Sequence, residues 1–247
     1  MNNVSVNKEK VLLSIMISLL SKVLARFNHS AMNISPNTNA THFEIDNWII
    51  SKFVLKRLIP IVGIHPFPLT ELVLMSGVVC RFQPTHIFEW GTNIGKSARI
   101  FYETTKYFDL QCAIHTVDLP SDEYHSEHPG RKRGKLINGL KGVSQHLGDG
   151  LTISLNLCKD ISSEGRILFF LDGDHSYKSV YRELDAIMAN VENPVILIHD
   201  TFFQSSDANY NLGPNLAIQE IFKTNSLAKK FKTLELSTGL PGMTLLY

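Results

Sequence analysis

Two short runs constrain the fold of this chain more than any other feature. "ILFFLD", residues 167–172, and "VILIHD", residues 195–200, each carry an unbroken apolar stretch into an acidic residue. A strand with one wet face alternates apolar and polar side chains, so a continuous apolar run describes a strand covered on both faces, as in a parallel sheet between helices. Such sheets bind ligands beyond the carboxyl ends of their strands. Asp172, Asp174, His175, His199 and Asp200 lie at those ends and are the first candidates for chemistry.

The rest of the chain supplies partners for these strands. "THIFEW" (85–90), "CAIHTVD" (112–118), "VSQHLGD" (143–149), "FKTLEL" and "GMTLLY" read as further strands. Helical patterns fall at 43–58, from Thr70 to 82, at 95–107, 134–140, 151–160, 178–190 and 214–225. Strand-helix alternation at these distances predicts an α/β, Rossmann-like sheet with right-handed crossovers. With 247 residues, 44% of them hydrophobic, the chain can fill one such domain with additions. We read 61–247 as that domain and 1–60 as a helical extension and linker.

Within the extension, "EKVLLSIMISLLSKVLARF" (9–27) is helical in pattern, and Lys22 and Arg26 interrupt it before it can span a bilayer. It reads as a packing or homo-oligomer helix, with peripheral membrane contact as the second reading. The net charge of +1 and the lack of an extended basic surface argue against nucleic acid as a partner. "RKRGK" (131–135) reads as a solvated loop or as contact with an anionic ligand. Cys80, Cys112 and Cys158 are odd in number and widely spaced, which suits a reducing, cytoplasmic compartment rather than disulfides or zinc.

"EWGTNIGKS" (89–97) follows the first strand directly. Gly91 and Gly95 allow a tight turn through Thr92 and close backbone approach, while Asn93 and Ser97 supply hydrogen bonds at a helix start. The glycine spacing is neither that of a phosphate loop nor that of the three-glycine dinucleotide fingerprint. Glu89 would repel a pyrophosphate and suits a ligand with an ammonium group. Asp118 ends the second strand, where its carboxylate can accept both hydroxyls of a ribose. A ribose joined to a positively charged end describes S-adenosylmethionine.

Taken together, "HIFEWGTNIGKSA", "IHTVDLP", "LFFLDGDHSY" and "ILIHDTF" resemble class I S-adenosylmethionine-dependent methyltransferases, in the branch of macrolide-sugar O-methyltransferases and cephalosporin hydroxylase-like proteins. The resemblance spans about residues 60 to 247. It implies a seven-stranded sheet with its last strand antiparallel. It also implies that Glu89, Gly91, Thr92 and the turn around Asn93 face the methionine part, that Asp118 holds the ribose, and that Asp149 lies near the adenine amino group. Gly95, Ser97 and Asp172 belong to the same cofactor set. Asp149 equally suits the cap of a helix beginning at Gly150.

The resemblance also implies a metal. In the sugar enzymes an Asp at the position of Asp172 and two adjacent acids at the positions of His199 and Asp200 hold Mg²⁺. Here His199 replaces an acid, so the site would be weaker or would take a softer divalent cation. His175 stands where that family places the base. A sugar hydroxyl is a poor nucleophile until it loses its proton, and an imidazole accepts one near neutral pH. The same histidine also suits a helix cap or a bond to Asp200. Asp174 reads as an Asx turn ahead of a metal ligand, and His199 as a metal contact or as a buried, hydrogen-bonded histidine.

The segment 204–220, with Tyr210, opens over the strand ends and suits a polyhydroxylated acceptor. The expected activity is a metal-assisted, S-adenosylmethionine-dependent O-methyltransferase acting on a hydroxyl of a sugar, glycan or natural-product small molecule. The alternatives are a non-catalytic S-adenosylmethionine- or nucleotide-binding protein, a nicotinamide or nucleotide-sugar enzyme, and an iron enzyme built on His175, His199 and a carboxylate.

Overall fold

The computed structural model describes residues 43–120, 130–162, 165–205, 207 and 210–247. The 9–27 segment, with its oligomer and membrane readings, lies outside them. Helix α1 (Asn47–Phe53) runs through a π-helical turn (Val54–Leu58) into α2 (Ile59–Val62), and α3 spans Leu69–Phe82. Then come β1 (His86–Trp90), α4 (Lys96–Tyr107), β2 (Ala113–Asp118), β3 (Val143–Leu147), α5 (Gly150–Cys158), β4 (Ile167–Leu171), α6 (Tyr177–Asn190), β5 (Val195–His199), α7 (Gly213–Thr224), β6 (Thr233–Leu236) and β7 (Met243–Leu246).

The strands form one sheet in the order β3-β2-β1-β4-β5-β7-β6. Strands β1 to β5 pair in parallel, and β7 lies antiparallel to both β5 and β6. The sheet is the Rossmann-like one expected, with the last strand reversed. Its order turns back between β1 and β4, and the loops leaving those two strands diverge around a crevice.

All five residues of β4 and all five of β5 are buried, as their apolar runs require. Alternate side chains serve opposite faces. Ile87, Leu168, Phe170 and Leu197 join the core under α1, α3 and α4, while Phe88, Phe169 and Ile196 join the one under α6 and α7. Ile50, Phe53, Val54 and Leu58 belong to the first core, so residues 47–60 dock on the sheet. A division at residue 60 remains a proposal about chain organisation.

One element differs from expectation. Residues 134–140 form successive turns rather than a helix. Gly134 and Gly139 take left-handed backbone angles, φ 65° and 76°, and the Gly134 N–H donates to the Asn93 carbonyl at 2.8 Å. Apolar spacing alone does not hold a helix against two such glycines. The three cysteines are unpaired. Among the described residues no helix is long and apolar enough to cross a membrane.

Candidate active site

A cavity of about 1470 Å³ lies across the carboxyl ends of β1, β4 and β5. Trp90 to Asn93 and Gly148 to Gly150 line one part of it; Asp172, His175, Asp200 and Tyr210 line another. Gly91, Asn93, Asp118, Asp149, Asp172, His175, His199 and Asp200, from distant segments, therefore border one space, while Glu89 and Gly95 do not line it.

The β1 loop is shaped by close backbone approach. Gly91 has φ 91°, and a Cβ there would lie 2.3 Å from the Asp172 carbonyl oxygen, so no larger residue fits. Asn93, at φ 44°, donates its N–H to Asp118 Oδ2 at 3.2 Å and accepts the Ile94 N–H on its own Oδ1 at 2.7 Å. Asp118 Oδ1 accepts the Leu119 N–H at 2.9 Å, and Arg133 Nε lies 3.1 Å from Oδ2. The basic "RKRGK" segment thus sends one side chain to Asp118. Thr92 and Thr116 share a buried hydroxyl–hydroxyl bond of 2.5 Å. Gly95 opens α4 at φ 85°, and Ser97 is buried in the first turn.

Glu89 is fully buried, and neither of its oxygens has a hydrogen-bond partner among the described residues. Burial pushes its pKa up to about 8; the nearby Ser97 and Thr116 hydroxyls pull back part of this, and the Asp172 and Asp118 charges add to it. A buried carboxyl without donors is costly unless something brings them. A cationic ligand with N–H donors could bring them.

Asp149 is the N-cap of α5. Its Oδ1 accepts the Thr152 N–H at 2.8 Å and the Thr152 hydroxyl at 2.6 Å, and its Oδ2 pairs with Arg182 at 2.6 Å. Burial works against the charge, but these partners outweigh it and hold the pKa below the ordinary range. The capping reading describes the geometry, and the residue still lines the cavity.

At the chemical end, Asp174 accepts the Ser176 N–H at 2.9 Å and the Ser176 hydroxyl at 3.0 Å, an Asx turn that sets up Ser176 as the cap of α6. This turn carries His175 over the strand ends. His175 Nδ1 lies 3.2 Å from Asp200 Oδ2 and 3.1 Å from Asn211 Nδ2. Its Nε2 is 3.5 Å from Asp172 Oδ1, with no well-directed hydrogen bond. Burial lowers the pKa of this ring, but the two carboxylates outweigh it and raise it above the usual histidine value. The loop before α7 presses on the same turn: a Cβ on Gly213 would lie 2.1 Å from the His175 carbonyl oxygen.

His199 is enclosed between carboxylates. Its Nδ1 meets Asp172 Oδ1 at 2.8 Å, and its Nε2 meets Glu71 Oε2 at 3.1 Å. Only 3% of the residue is exposed, and the Phe67 ring packs edge-on at 4.8 Å. Burial disfavours the charged ring, yet Asp172, Glu71 and Asp200 prevail and raise its pKa to about 10. Asp200 adopts φ 58°; its Oδ1 accepts the Tyr210 hydroxyl at 2.5 Å and its Oδ2 an Asn211 amide N–H at 3.1 Å.

This donor set does not fit the divalent ion expected at Asp172, His199 and Asp200. A hard cation needs oxygen lone pairs converging on one point, and here the His199 ring stands at that place with a carboxylate oxygen on each nitrogen. Among the described residues no group of three or more His, Cys, Asp or Glu is arranged to hold a metal. Glu71, an acid in the first turn of α3, is the site residue that the sequence did not single out. The available signal was a lone acid within the apolar stretch "LTELVLMSGVVC" of α3, buried to 2% exposure. Tyr210, expected beside the acceptor, lines the cavity and directs its hydroxyl to Asp200.

Residues 62–237 match the family model described as Rhamnosyl O-methyltransferase/CmcI. No curated protein is significantly similar in sequence. Among solved structures, an O-methyltransferase from Bacillus cereus in complex with S-adenosylhomocysteine shares 16% identity, over 80% of this chain and 90% of that one, at a TM-score of 0.50. CalS11, a TDP-rhamnose 3′-O-methyltransferase of calicheamicin biosynthesis, shares 14% over 81% and 92%, also at 0.50. A CmcI structure with magnesium and S-adenosylmethionine shares 15% over 72% and 71%, at 0.45. Identities this low show a common fold, and the family match adds the activity: the chain belongs to the Rhamnosyl O-methyltransferase/CmcI family and is an S-adenosylmethionine-dependent methyltransferase.

Proposed function

We propose that this methyltransferase carries its methyl group to a hydroxyl of a sugar or similar polyhydroxylated small molecule, with His175 as the general base. The observation that carries the reading is the setting of His175. Its Nε2 lacks a well-directed bond among the described residues, and the ring lies in the cavity between Asp172 and Asp200. The cofactor, when bound, supplies an electrophilic methyl on a sulfonium. Glu89 offers an unpaired carboxyl to its cationic end, and Asp118, oriented by the Asn93 and Leu119 N–H groups, accepts from its ribose. Gly91, Thr92, Gly95 and Ser97 shape the turn between them, and Asp149 with Gly150 borders the cavity where an adenine would lie.

During transfer the acceptor's proton passes to His175, and the Asp172 and Asp200 carboxylates stabilise the resulting imidazolium. Tyr210 and Asn211 hold Asp200 in place and border the acceptor space. The naming of CalS11 as a TDP-rhamnose enzyme supports a sugar acceptor. Metal assistance, expected from the sequence, is given no step in this scheme because the His199 ring stands between two carboxylates at that place.

Calorimetry with S-adenosylhomocysteine, followed by transfer of radiolabelled methyl to a panel of free and nucleotide-linked sugars, tests the reading. Binding of S-adenosylhomocysteine with NAD ignored, and label on a hydroxyl oxygen, is the expected result. Label recovered on nitrogen or carbon of an acceptor would overturn the O-directed assignment.

A further inference from the structure

The bridge through His199 reaches beyond the base and the cofactor residues. Glu71 and His199 are 128 positions apart in sequence, yet their side chains meet at the buried end of β5. Glu71 is anchored on its other oxygen, Oε1, by the Gly242 N–H at 2.9 Å. The bridge therefore ties α3, β4, β5 and the turn before β7 to one ring. Ionised carboxylates only accept hydrogen bonds, so a ring held between two of them donates from both nitrogens. Such an imidazole has no lone pair for a metal, and it presents positive charge to Asp172.

We propose that the Glu71–His199–Asp172 bridge fills the place of a divalent ion at the ends of β4 and β5, so that this enzyme holds Asp172 toward His175 without a metal. The proposal rests on the methyltransferase reading for its catalytic meaning, and not for its geometry. His199 acts here as a positioning residue: it fixes Asp172, whose Oδ1 lies 3.5 Å from His175 Nε2. The Phe67 ring packed on its edge keeps the imidazole from turning aside to admit an ion.

The test uses the full-length protein and Mn²⁺ alone, followed by electron paramagnetic resonance of the free ion, so it needs neither an acceptor nor turnover. Wild type should leave the Mn²⁺ signal undiminished at submillimolar concentrations. His199→Asp places an oxygen where Nδ1 stood and should raise Mn²⁺ affinity on the order of 10- to 100-fold, with the gain lost when Asp172→Asn is added. ¹⁵N spectra of the wild-type imidazoles should show one ring protonated on both nitrogens at pH 7.5 and absent from His199→Asn. Retained S-adenosylhomocysteine binding reports that each variant is folded; should His199→Asp fail it, the wild-type titration and ring spectrum decide alone.

Stoichiometric Mn²⁺ binding by wild type, abolished by Asp172→Asn, would overturn the proposal. So would a His199 ring with one bare nitrogen. Absence of S-adenosylhomocysteine binding by wild type would instead strike the methyltransferase reading and leave the metal result to stand on its own.

Discussion

Replacing Glu89 with Gln should remove part of the protein's loss of stability with rising pH and weaken cofactor binding, two effects that are measured separately. Glu89 is fully buried, neither of its oxygens has a well-directed hydrogen bond among the described residues, and burial above all raises its pKa from 4.5 to about 8. Its folded form therefore holds a proton that the unfolded chain releases above pH 4.5. The stability this gives is complete below that pH and is lost progressively as pH rises through 8. The slope is about 1.4 kcal/mol per pH unit, so wild type should lose about 2 to 3 kcal/mol between pH 5 and pH 7 that Glu89→Gln keeps. Comparing the two proteins across pH cancels the cost of burying the amide itself. Urea denaturation at pH 5, 6, 7 and 8 measures this difference. Calorimetry at pH 7.5 should show S-adenosylmethionine binding weakened by about 1.5 to 3 kcal/mol, the scale of a lost charge-assisted bond. Parallel stability curves for the two proteins would show that Glu89 ionises in its ordinary range, and unchanged affinity would remove it from the cofactor site.

Asp118→Ala should weaken S-adenosylhomocysteine binding by about 1.5 to 3 kcal/mol, because it removes the ribose acceptor and releases Arg133; calorimetry showing full affinity in a folded variant rejects the placement. His175→Ala should keep that binding yet slow methyl transfer by on the order of 100 to 10,000-fold. In wild type the acidic limb of kcat/KM should lie above pH 6.5, since Asp172 and Asp200 outweigh burial and delay the neutral ring; a limb at or below 6.5, or one that persists in the variant, assigns the base elsewhere. Gly150→Ala should destabilise the fold by about 1 to 3 kcal/mol, because its Cβ would lie 2.1 Å from the Trp90 ring; an unchanged melting temperature would contradict this packing.

What the sequence made legible was whatever chemistry follows directly from a strand. Asp118, Asp172 and Asp200 were readable because each closes an apolar run, and a parallel sheet delivers such ends to one edge. Glu89 was readable because an acid is a poor neighbour for pyrophosphate. Glu71 was not, since its partner lies on another strand far along the chain, and no periodicity records which helix end faces which strand end. The metal expectation came from two carboxylates at adjacent strand ends and from resemblance, and neither could show that His199 meets a carboxylate on each ring nitrogen. The 134–140 segment misled because apolar spacing persists through Gly134 and Gly139, whose backbone angles break the helix. Asp149 admitted two readings from sequence, and the bonds to Thr152 and Arg182 show the cap.

The antiparallel insertion of β7 between β5 and β6 also has a bearing on how the protein is made. β7 follows every other strand in synthesis order, yet it occupies an inner place in the sheet, and Gly242 beside it anchors Glu71. A ribosome that has released residues 43–236 has produced the loops of the cavity without the strand that covers β5. The chemical end should therefore assemble only after residues 242–246 clear the exit tunnel. Stalled nascent chains with β7 still in the tunnel should be cut by protease within β5 and α7, and chains extended far enough to free it should resist.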